Sequence, residues 1–142
     1  MKVVLDSNVL FVSISRRSAH HPIFQAFEAG RYDLFLTTDI LLEYEEVIGD
    51  EMGTSVSVNL LNGLKEAPNV RHIHKYYFWN LISIDPDDNK YVDCAVAANA
   101  DFIVTDDKHF GVLRNIQFPK LKVISADEFV EILTGKRLQK RK

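Results

Sequence analysis

Short apolar segments alternate with amphipathic segments along the chain, and this order constrains the fold more than any other feature of the sequence. Four apolar segments, several of them rich in β-branched residues, predict buried strands: Lys2–Leu5, Tyr32–Thr37, Phe102–Thr105 and Leu121–Ile124. Strands that alternate with helices pack as a sheet covered by helices on both faces. The sequence therefore predicts an α/β fold, a three-layer α/β/α sandwich around a mainly parallel central sheet.

Segments with helical periodicity lie between these strands, and capping residues mark several of their ends. Helices are predicted from Val9, from Pro22 to Gly30, over residues 40–49, 54–67 and 89–99, and from Ser125 to Gly135. The stretch from residue 70 to residue 84 has no clear period, so that a short strand and a helical turn are all that is expected there.

The length of 142 residues fits one globular domain. We expect a single domain over residues 1–135 and a basic, disordered tail over residues 136–142. The net charge is −3, yet the last seven residues, KRLQKRK, carry five basic side chains. The rest of the chain is therefore strongly acidic, which favours nucleic-acid binding only where cations neutralise the acids.

The composition excludes several classes of protein. The single cysteine, Cys94, cannot build a disulfide framework or a cysteine zinc site. No apolar stretch approaches the roughly 20 residues that span a bilayer, and an aspartate interrupts the first segment too early for a signal peptide. The sequence predicts a cytoplasmic protein without a membrane segment.

Aspartates follow two of the predicted strands. Asp6 comes directly after Lys2–Leu5, and Asp107 follows the strand that ends at Thr105. In an open parallel sheet, ligands bind beyond the carboxyl ends of the strands. One aspartate in such a turn is common, but two of them face a common crevice if their strands are neighbours.

Three further acids lie on or next to predicted helices. Glu43 lies beside an apolar stripe, although an acid near a helix start is also stabilised by the helix dipole. Asp88 is either a helix cap or a ligand. Asp93 lies within the apolar run YVDCAVAANA, where an unpaired carboxylate is costly, so a cation or water is expected beside it.

Several carboxylates share one small site only if a cation offsets their repulsion. Oxygen ligands favour Mg²⁺ or Mn²⁺, which activate water and stabilise the leaving oxygen of a phosphodiester. His72 and His74 alternate as on a strand, but neither His nor Cys follows at zinc spacing. We interpret the two histidines as part of a solvated face.

Three segments of the sequence are distinctive, VVLDSNVL, LLEYEEV and DPDDNKYVDCAVAANADFIVTDDKHF. They resemble the PIN-domain nucleases, and more closely the PIN-like toxin components of bacterial type II toxin-antitoxin pairs, and the resemblance covers almost the whole chain. It implies the three-layer fold, four or five acids that bind Mg²⁺ or Mn²⁺, and endonucleolytic cleavage of single-stranded RNA. It also implies an antitoxin protein as partner and a homodimer.

Carried over by position, the resemblance gives Asp6, Glu43 and Asp107 as site acids, the last by the pattern T-x-D. The fourth acid stays open. Counting back from Thr105 favours Asp88, whereas the match to DCAVAANA favours Asp93. Five residues apart on a helix, the two are about 140° out of phase and cannot both face one ion.

The resulting hypothesis is hydrolysis of RNA with Asp6, Glu43, Asp93 and Asp107 as catalytic acids, and with Asp88 as a further metal ligand. Supporting roles fall to Asn8, Thr105 and Asp106, and RNA binding to Arg16, Arg17 and Lys108. Ordinary exposed charge explains those three basic residues equally well.

Two other functions compete with the nuclease hypothesis. A phosphatase of the haloacid-dehalogenase type needs an aspartate two positions after the first one, where this chain has Asn8. The other alternative is a non-catalytic PIN-like module that binds RNA or protein.

Overall fold

In the part of the chain that the structure describes, five strands form one sheet in which every pair of neighbours is parallel, in the order β3-β2-β1-β4-β5. This computed structural model describes residues 1–74, 78–82, 86–117 and 119–136. The strands are β1 (Lys2–Leu5), β2 (Asp33–Leu36), β3 (Val70–His72), β4 (Phe102–Val104) and β5 (Val123–Ile124).

Helices connect these strands. They are α1 (Ser7–Ile14), α2 (His21–Glu28), α3 (Thr38–Met52), α4 (Thr54–Glu66), α5 (Asn89–Ala98) and α6 (Ala126–Thr134), with 3₁₀ helices at Pro86–Asp88 and Lys108–Asn115. Among the described residues, no helix has both the length and the apolar character needed to cross a bilayer.

The helices lie on both faces of the sheet. From β1 the chain moves outward to β2 and β3, and the helices α1 to α4 pack against one another, through the pairs α1 with α2, α1 with α3 and α3 with α4, as one layer. Crossovers between parallel strands are almost always right-handed, which places these helices on one face of the sheet. It then returns past β1 to β4, and α5 contacts β1, β2 and β4 from the opposite face. Finally α6 packs against α2 on the first face, where the rings of Tyr32 and Phe129 meet edge to face at 5.2 Å. The predicted three-layer α/β/α sandwich is confirmed.

β1 lies at the centre of the sheet, and its burial explains its sequence. Val3, Val4 and Leu5 are fully buried because helices cover both faces of the strand. The buried hydroxyl of Tyr44, on α3, donates a hydrogen bond of 2.6 Å to the carbonyl of Leu5. The end of β1, from which Asp6 emerges, is thus fixed by packing and by a side chain.

Several predicted bounds differ from the observed ones. β3 lies in the stretch without clear period, because a three-residue edge strand with two exposed positions carries little apolar pattern. β5 is two residues long instead of four. Within the same stretch, residues 75–77 and 83–85 lie outside the described residues, as do residues 137–142, so the disordered tail stays a prediction.

Candidate metal centre

The crevice at the carboxyl ends of β1 and β4 is where two of the predicted acids meet. These strands are neighbours, and the chain leaves β1 toward β2 on one side but reaches β4 on the other. Such a topological switch point is where open α/β sheets bind ligands. Asp6 and Asp107 both line this crevice, together with Asn8 and Asp106.

Asp6 is buried, with 6% of its surface exposed. Its Oδ2 accepts a hydrogen bond of 2.7 Å from the hydroxyl of Thr105. Burial raises the pKa of the Asp6 carboxyl above its usual value of 3.8, the charge of Asp107 adds to this rise, and the Thr105 hydrogen bond opposes it. Asp6 therefore carries its negative charge at a cost that a nearby cation would relieve.

Thr105 connects the two aspartates through one hydroxyl group. While it donates to Asp6, its Oγ1 accepts a hydrogen bond of 3.0 Å from the backbone N–H of Asp107. Asp107 Oδ1 in turn accepts from the backbone N–H of His109 at 2.9 Å. The turn after β4 thereby holds Asp107 in a fixed orientation next to Asp6.

Asp88 and His109 lie close to Asp107 and form with it a cluster of possible metal ligands. Asp88 ends the 3₁₀ helix Pro86–Asp88, and its side chain does not cap α5. The Nδ1 atom of His109 lies 3.7 Å from Asp88 Oδ2 and 3.5 Å from Asp107 Oδ1. The ligand atoms of Asp88, Asp107 and His109 all lie within 4.8 Å of one another.

These donors fit a divalent cation. Neighbouring ligands of an octahedral ion with bonds of about 2.1 Å lie about 3 Å apart, slightly closer than the observed 3.5 and 3.7 Å. His109 Nδ1 is buried and has no hydrogen-bond partner among the described residues. A cation would therefore satisfy this nitrogen and offset the repulsion between the carboxylates.

Glu43, on α3, does not line this crevice, and its carboxylate is engaged by a lysine. Its Oε1 lies 3.1 Å from the Nζ of Lys90, which also contacts Asp87 Oδ1 at 3.0 Å. Burial raises the pKa of Glu43, and Lys90 opposes the rise. The charges of Asp6 and Glu43 both contribute to the raised pKa of Tyr44, after the effect of its burial.

Asp93 lies apart from the group formed by Asp88, Asp107 and His109. It is 2% exposed, and its Oδ1 accepts a hydrogen bond of 2.9 Å from the backbone N–H of Trp79. Burial raises its pKa, and this hydrogen bond opposes the rise. With Glu43, Asp87 and Lys90 it lines a separate cavity of about 400 Å³.

The remaining predicted residues are distributed around the crevice. Asp106 accepts from the backbone N–H of Ala126 at 3.0 Å, so that it holds the start of α6. Lys108 is exposed and lines a neighbouring crevice beside Asp107. Arg16 and Arg17 are exposed just beyond the far end of α1, one helix length of about 12 Å from Asp6.

Sequence reasoning missed His109 and Lys90. His109 follows Asp107 by two residues, and Lys90 follows Asp88 by two. Their closeness in sequence to a candidate acid could therefore have identified both as candidate site residues. Nothing in the spacing indicates that Lys90 contacts Glu43, because that contact joins α5 to α3 across the fold.

Comparisons with known proteins agree with this architecture. A family model described as the PIN domain matches residues 2–109. No curated protein matches the sequence. Among solved structures, VapBC2 from Rickettsia felis, bound to a DNA fragment from its promoter, matches with a TM-score of 0.61 and 15% identity over 88% of this chain and 98% of the other.

Two further solved structures show the same likeness. DNA-bound VapBC from Salmonella typhimurium matches with a TM-score of 0.57 and 14% identity, over 89% of this chain and 98% of the other. The PIN domain of human SMG5 matches with a TM-score of 0.56 and 10% identity, over 93% and 99%. At these identities the likeness concerns the fold.

Proposed function

Because this chain belongs to the PIN-domain family, we propose that it is a metal-dependent nuclease that cleaves single-stranded RNA. The observation that carries the proposal is the cluster of Asp88, Asp107 and His109, whose ligand atoms lie within 4.8 Å of one another. Asp6 lies in the adjoining crevice, at the neighbouring strand end. Carboxylates gathered in this way are suited to bind the cation that phosphodiester hydrolysis needs.

The chain's own residues prepare the site. A divalent ion bound there would lower the pKa of a water molecule and neutralise charge on the phosphate. Thr105 orients Asp6 and Asp107 through one hydroxyl, and Lys108 offers a positive charge beside them to the RNA backbone. His109 offers a nitrogen, a poor ligand for Mg²⁺, so we propose Mn²⁺ as the preferred ion.

We further propose that the protein acts as the toxin of a toxin-antitoxin pair and binds a protein antitoxin. The support is the likeness of its fold to chains of the VapBC complexes from two bacteria. Purification with the product of a neighbouring gene would test the partnership. Failure of every neighbouring gene product to bind would count against it.

The nuclease proposal is tested by cleavage of labelled single-stranded RNA with Mn²⁺, with Mg²⁺ and with EDTA. We expect cutting that requires the metal, is faster with Mn²⁺ and is lost in Asp107→Asn. Asp50→Asn is the matched control, because Asp50 is an exposed acid near the end of α3. Equal cutting by Asp107→Asn would indicate a contaminant, and no cutting by the wild type would favour a non-catalytic binding module.

Replacement of Thr105 by valine should weaken Mn²⁺ binding about 10- to 100-fold, the usual effect of losing a side chain that orients metal ligands. Valine keeps the size of the side chain but neither donates to Asp6 nor accepts from Asp107. Calorimetric titration with Mn²⁺ measures the change. Thr37→Val is the control, since the Thr37 hydroxyl caps α3 instead; equal affinities for Thr105→Val and the wild type would remove Thr105 from the site.

Deletion of residues 137–142 should flatten the salt dependence of RNA affinity. Four of the five basic residues of the tail are lost, and each phosphate contact in single-stranded nucleic acid contributes about −0.7 to the slope of log K against log salt. Fluorescence anisotropy of labelled RNA at several salt concentrations, in EDTA, measures this slope. An unchanged slope would show that the tail does not contact RNA.

A further inference from the structure

Phe78 is the most exposed of the large hydrophobic residues in the described part of the chain, with 67% of its surface exposed. It lines the cavity of about 400 Å³ that Asp93 also lines. Leu42, on α3, lines the same cavity and is 58% exposed. Exposed apolar side chains scattered singly are ordinary, but two of them beside one cavity indicate a surface that binds a ligand.

Two buried side chains of α5 hold the segment of residues 78–82 that carries this ring. Asp93 Oδ1 accepts a hydrogen bond of 2.9 Å from the backbone N–H of Trp79. Asn89 lies four residues earlier on the same face of the helix. Its side chain accepts from the backbone N–H of Ile82 at 2.9 Å and donates to the carbonyl of Ile82 at 2.8 Å. The fold therefore fixes the position of the segment at the cavity.

Asn80 belongs to this segment and has a left-handed backbone conformation, with a φ of +52°. Residues other than glycine adopt this conformation rarely, and those that do are concentrated at functional sites. Asn80 lines the cavity, where its side-chain amide can both donate and accept hydrogen bonds. The segment thus brings an aromatic ring and an amide group to one cavity.

Carboxylates dominate the charged lining of this cavity. Apart from Lys90, the described charged residues that line it are all acids: Asp39, Glu43, Glu46, Asp87 and Asp93. Negative charges repel a phosphate group, whereas carboxylate oxygens accept hydrogen bonds from the exocyclic amino group of a base. Glu46 is an exposed acid on α3, one turn after Leu42. The lining therefore fits a flat, neutral aromatic group that carries an amino donor.

We propose that this cavity is a base-binding subsite, in which Phe78 stacks on a base of single-stranded RNA that carries an exocyclic amino group. Proteins usually hold unpaired RNA bases by such stacking. The inference rests on the proposed function, because Asp87 lines the cavity and the next residue, Asp88, belongs to the metal cluster. The bound base then belongs to a nucleotide close to the cleaved phosphate. Asp93 is a positioning residue, since it holds the backbone of Trp79 beside Phe78.

Fluorescence anisotropy of labelled oligo(C) and oligo(U) RNA of equal length, in EDTA, tests the inference. Cytosine and uracil have the same size, but cytosine carries an amino group where uracil carries a carbonyl. We expect the wild type to bind oligo(C) more tightly than oligo(U). Phe78→Ala should bind oligo(C) about tenfold more weakly, the scale of losing one stacking ring, and Phe78→Tyr should bind it as the wild type does. Ile132→Ala is the control, since Ile132 is an exposed apolar residue on α6, and its affinity should not change.

Equal affinity of Phe78→Ala and the wild type for oligo(C) would overturn the subsite and leave the nuclease proposal intact. Tighter binding of oligo(U) than of oligo(C) by the wild type would overturn it as well, as would a wild type that cleaves RNA in Mn²⁺ but binds neither oligonucleotide. If Phe78→Ala does not fold, Phe78→Leu takes its place with the same expected loss, because leucine is apolar but has no ring. Absence of both binding and cleavage by the wild type is a different result, which would overturn the proposed nuclease itself.

Discussion

Replacement of Asp88 by asparagine is expected to lower the rate of RNA cleavage about 100-fold or more, whereas the same replacement at Asp93 is expected to lower it less than about tenfold. Loss of a metal ligand removes one negative charge and one coordinating oxygen atom from the metal site. Asp93 accepts a hydrogen bond from a backbone N–H within the described residues, and loss of its carboxylate would remove a hydrogen bond and some stability. The two variants therefore distinguish the two candidates for the fourth acid.

The structural contacts give the reason for this difference. Asp88 Oδ2 lies 3.7 Å from His109 Nδ1, within the cluster that also contains Asp107. Asp93 is directed to the backbone N–H of Trp79 at 2.9 Å. An asparagine at position 93 can still accept that hydrogen bond through its side-chain oxygen.

The measurement is single-turnover cleavage of labelled RNA by both variants at saturating Mn²⁺, with melting temperatures as a check on folding. A loss at Asp93 as large as that at Asp88 would reverse the assignment. Titration with Mn²⁺ should give the same order, with weaker binding by Asp88→Asn than by Asp93→Asn.

Replacement of Asp6 by asparagine is expected to stabilise the metal-free protein by about 1 kcal/mol at neutral pH, a gain typical of single stabilising substitutions at functional sites. The same replacement is expected to abolish the stabilisation of the protein by Mn²⁺. Burial, together with the charge of Asp107, holds the pKa of Asp6 above its usual 3.8. A carboxyl whose pKa is raised in the folded state destabilises that state once it ionises. Asparagine has no such charge to bury.

The sign of the pH dependence follows from the same shift. As the pH falls through the folded-state pKa of Asp6 toward 3.8, the folded wild type takes up a proton on Asp6. The free-energy cost of burying the Asp6 charge then disappears. The stability difference between variant and wild type should therefore shrink with decreasing pH. Added Mn²⁺ at 100 times its Kd stabilises only the protein that binds it, by about 2.7 kcal/mol, which reverses the order of stabilities.

Urea unfolding in EDTA and in Mn²⁺, at several pH values, measures these differences. Asp50→Asn is again the control, and it should respond to Mn²⁺ as the wild type does. Asp6 would have no role at the metal if Mn²⁺ stabilised Asp6→Asn as strongly as the wild type. A metal-free variant that is less stable than the wild type would show that the Thr105 hydrogen bond outweighs the cost of burying the charge.

The two acids at strand ends could be predicted because their positions depend on local pattern. Each follows a short apolar strand, and parallel strands end at the same edge of a sheet. That β1 and β4 are neighbours was a condition of the prediction, and the observed strand order fulfils it. The strand at residues 70–72 could not be bounded in advance, because its residues carry little apolar pattern and only its pairing with β2 defines it as a strand.

The choice between Asp88 and Asp93 could not be made from spacing. The phase argument assumes that both residues lie on one continuous helix, but Asp88 ends a 3₁₀ helix and α5 begins after it. Residue counts do not reveal such a change of helix type. Only the packing of the segment around Trp79 shows that Asp93 has a backbone partner.

The sequence alone determined the alternation of strands and helices, the single apolar core and the two aspartates of the strand ends, because these follow from periodicity and chain order. The tertiary structure decided the partners of each carboxylate. Asp88 meets His109, Glu43 meets Lys90 and Asp6 meets Thr105. Each of these pairs joins segments that are distant along the chain, and the distance between such segments is set by the packing of the whole fold.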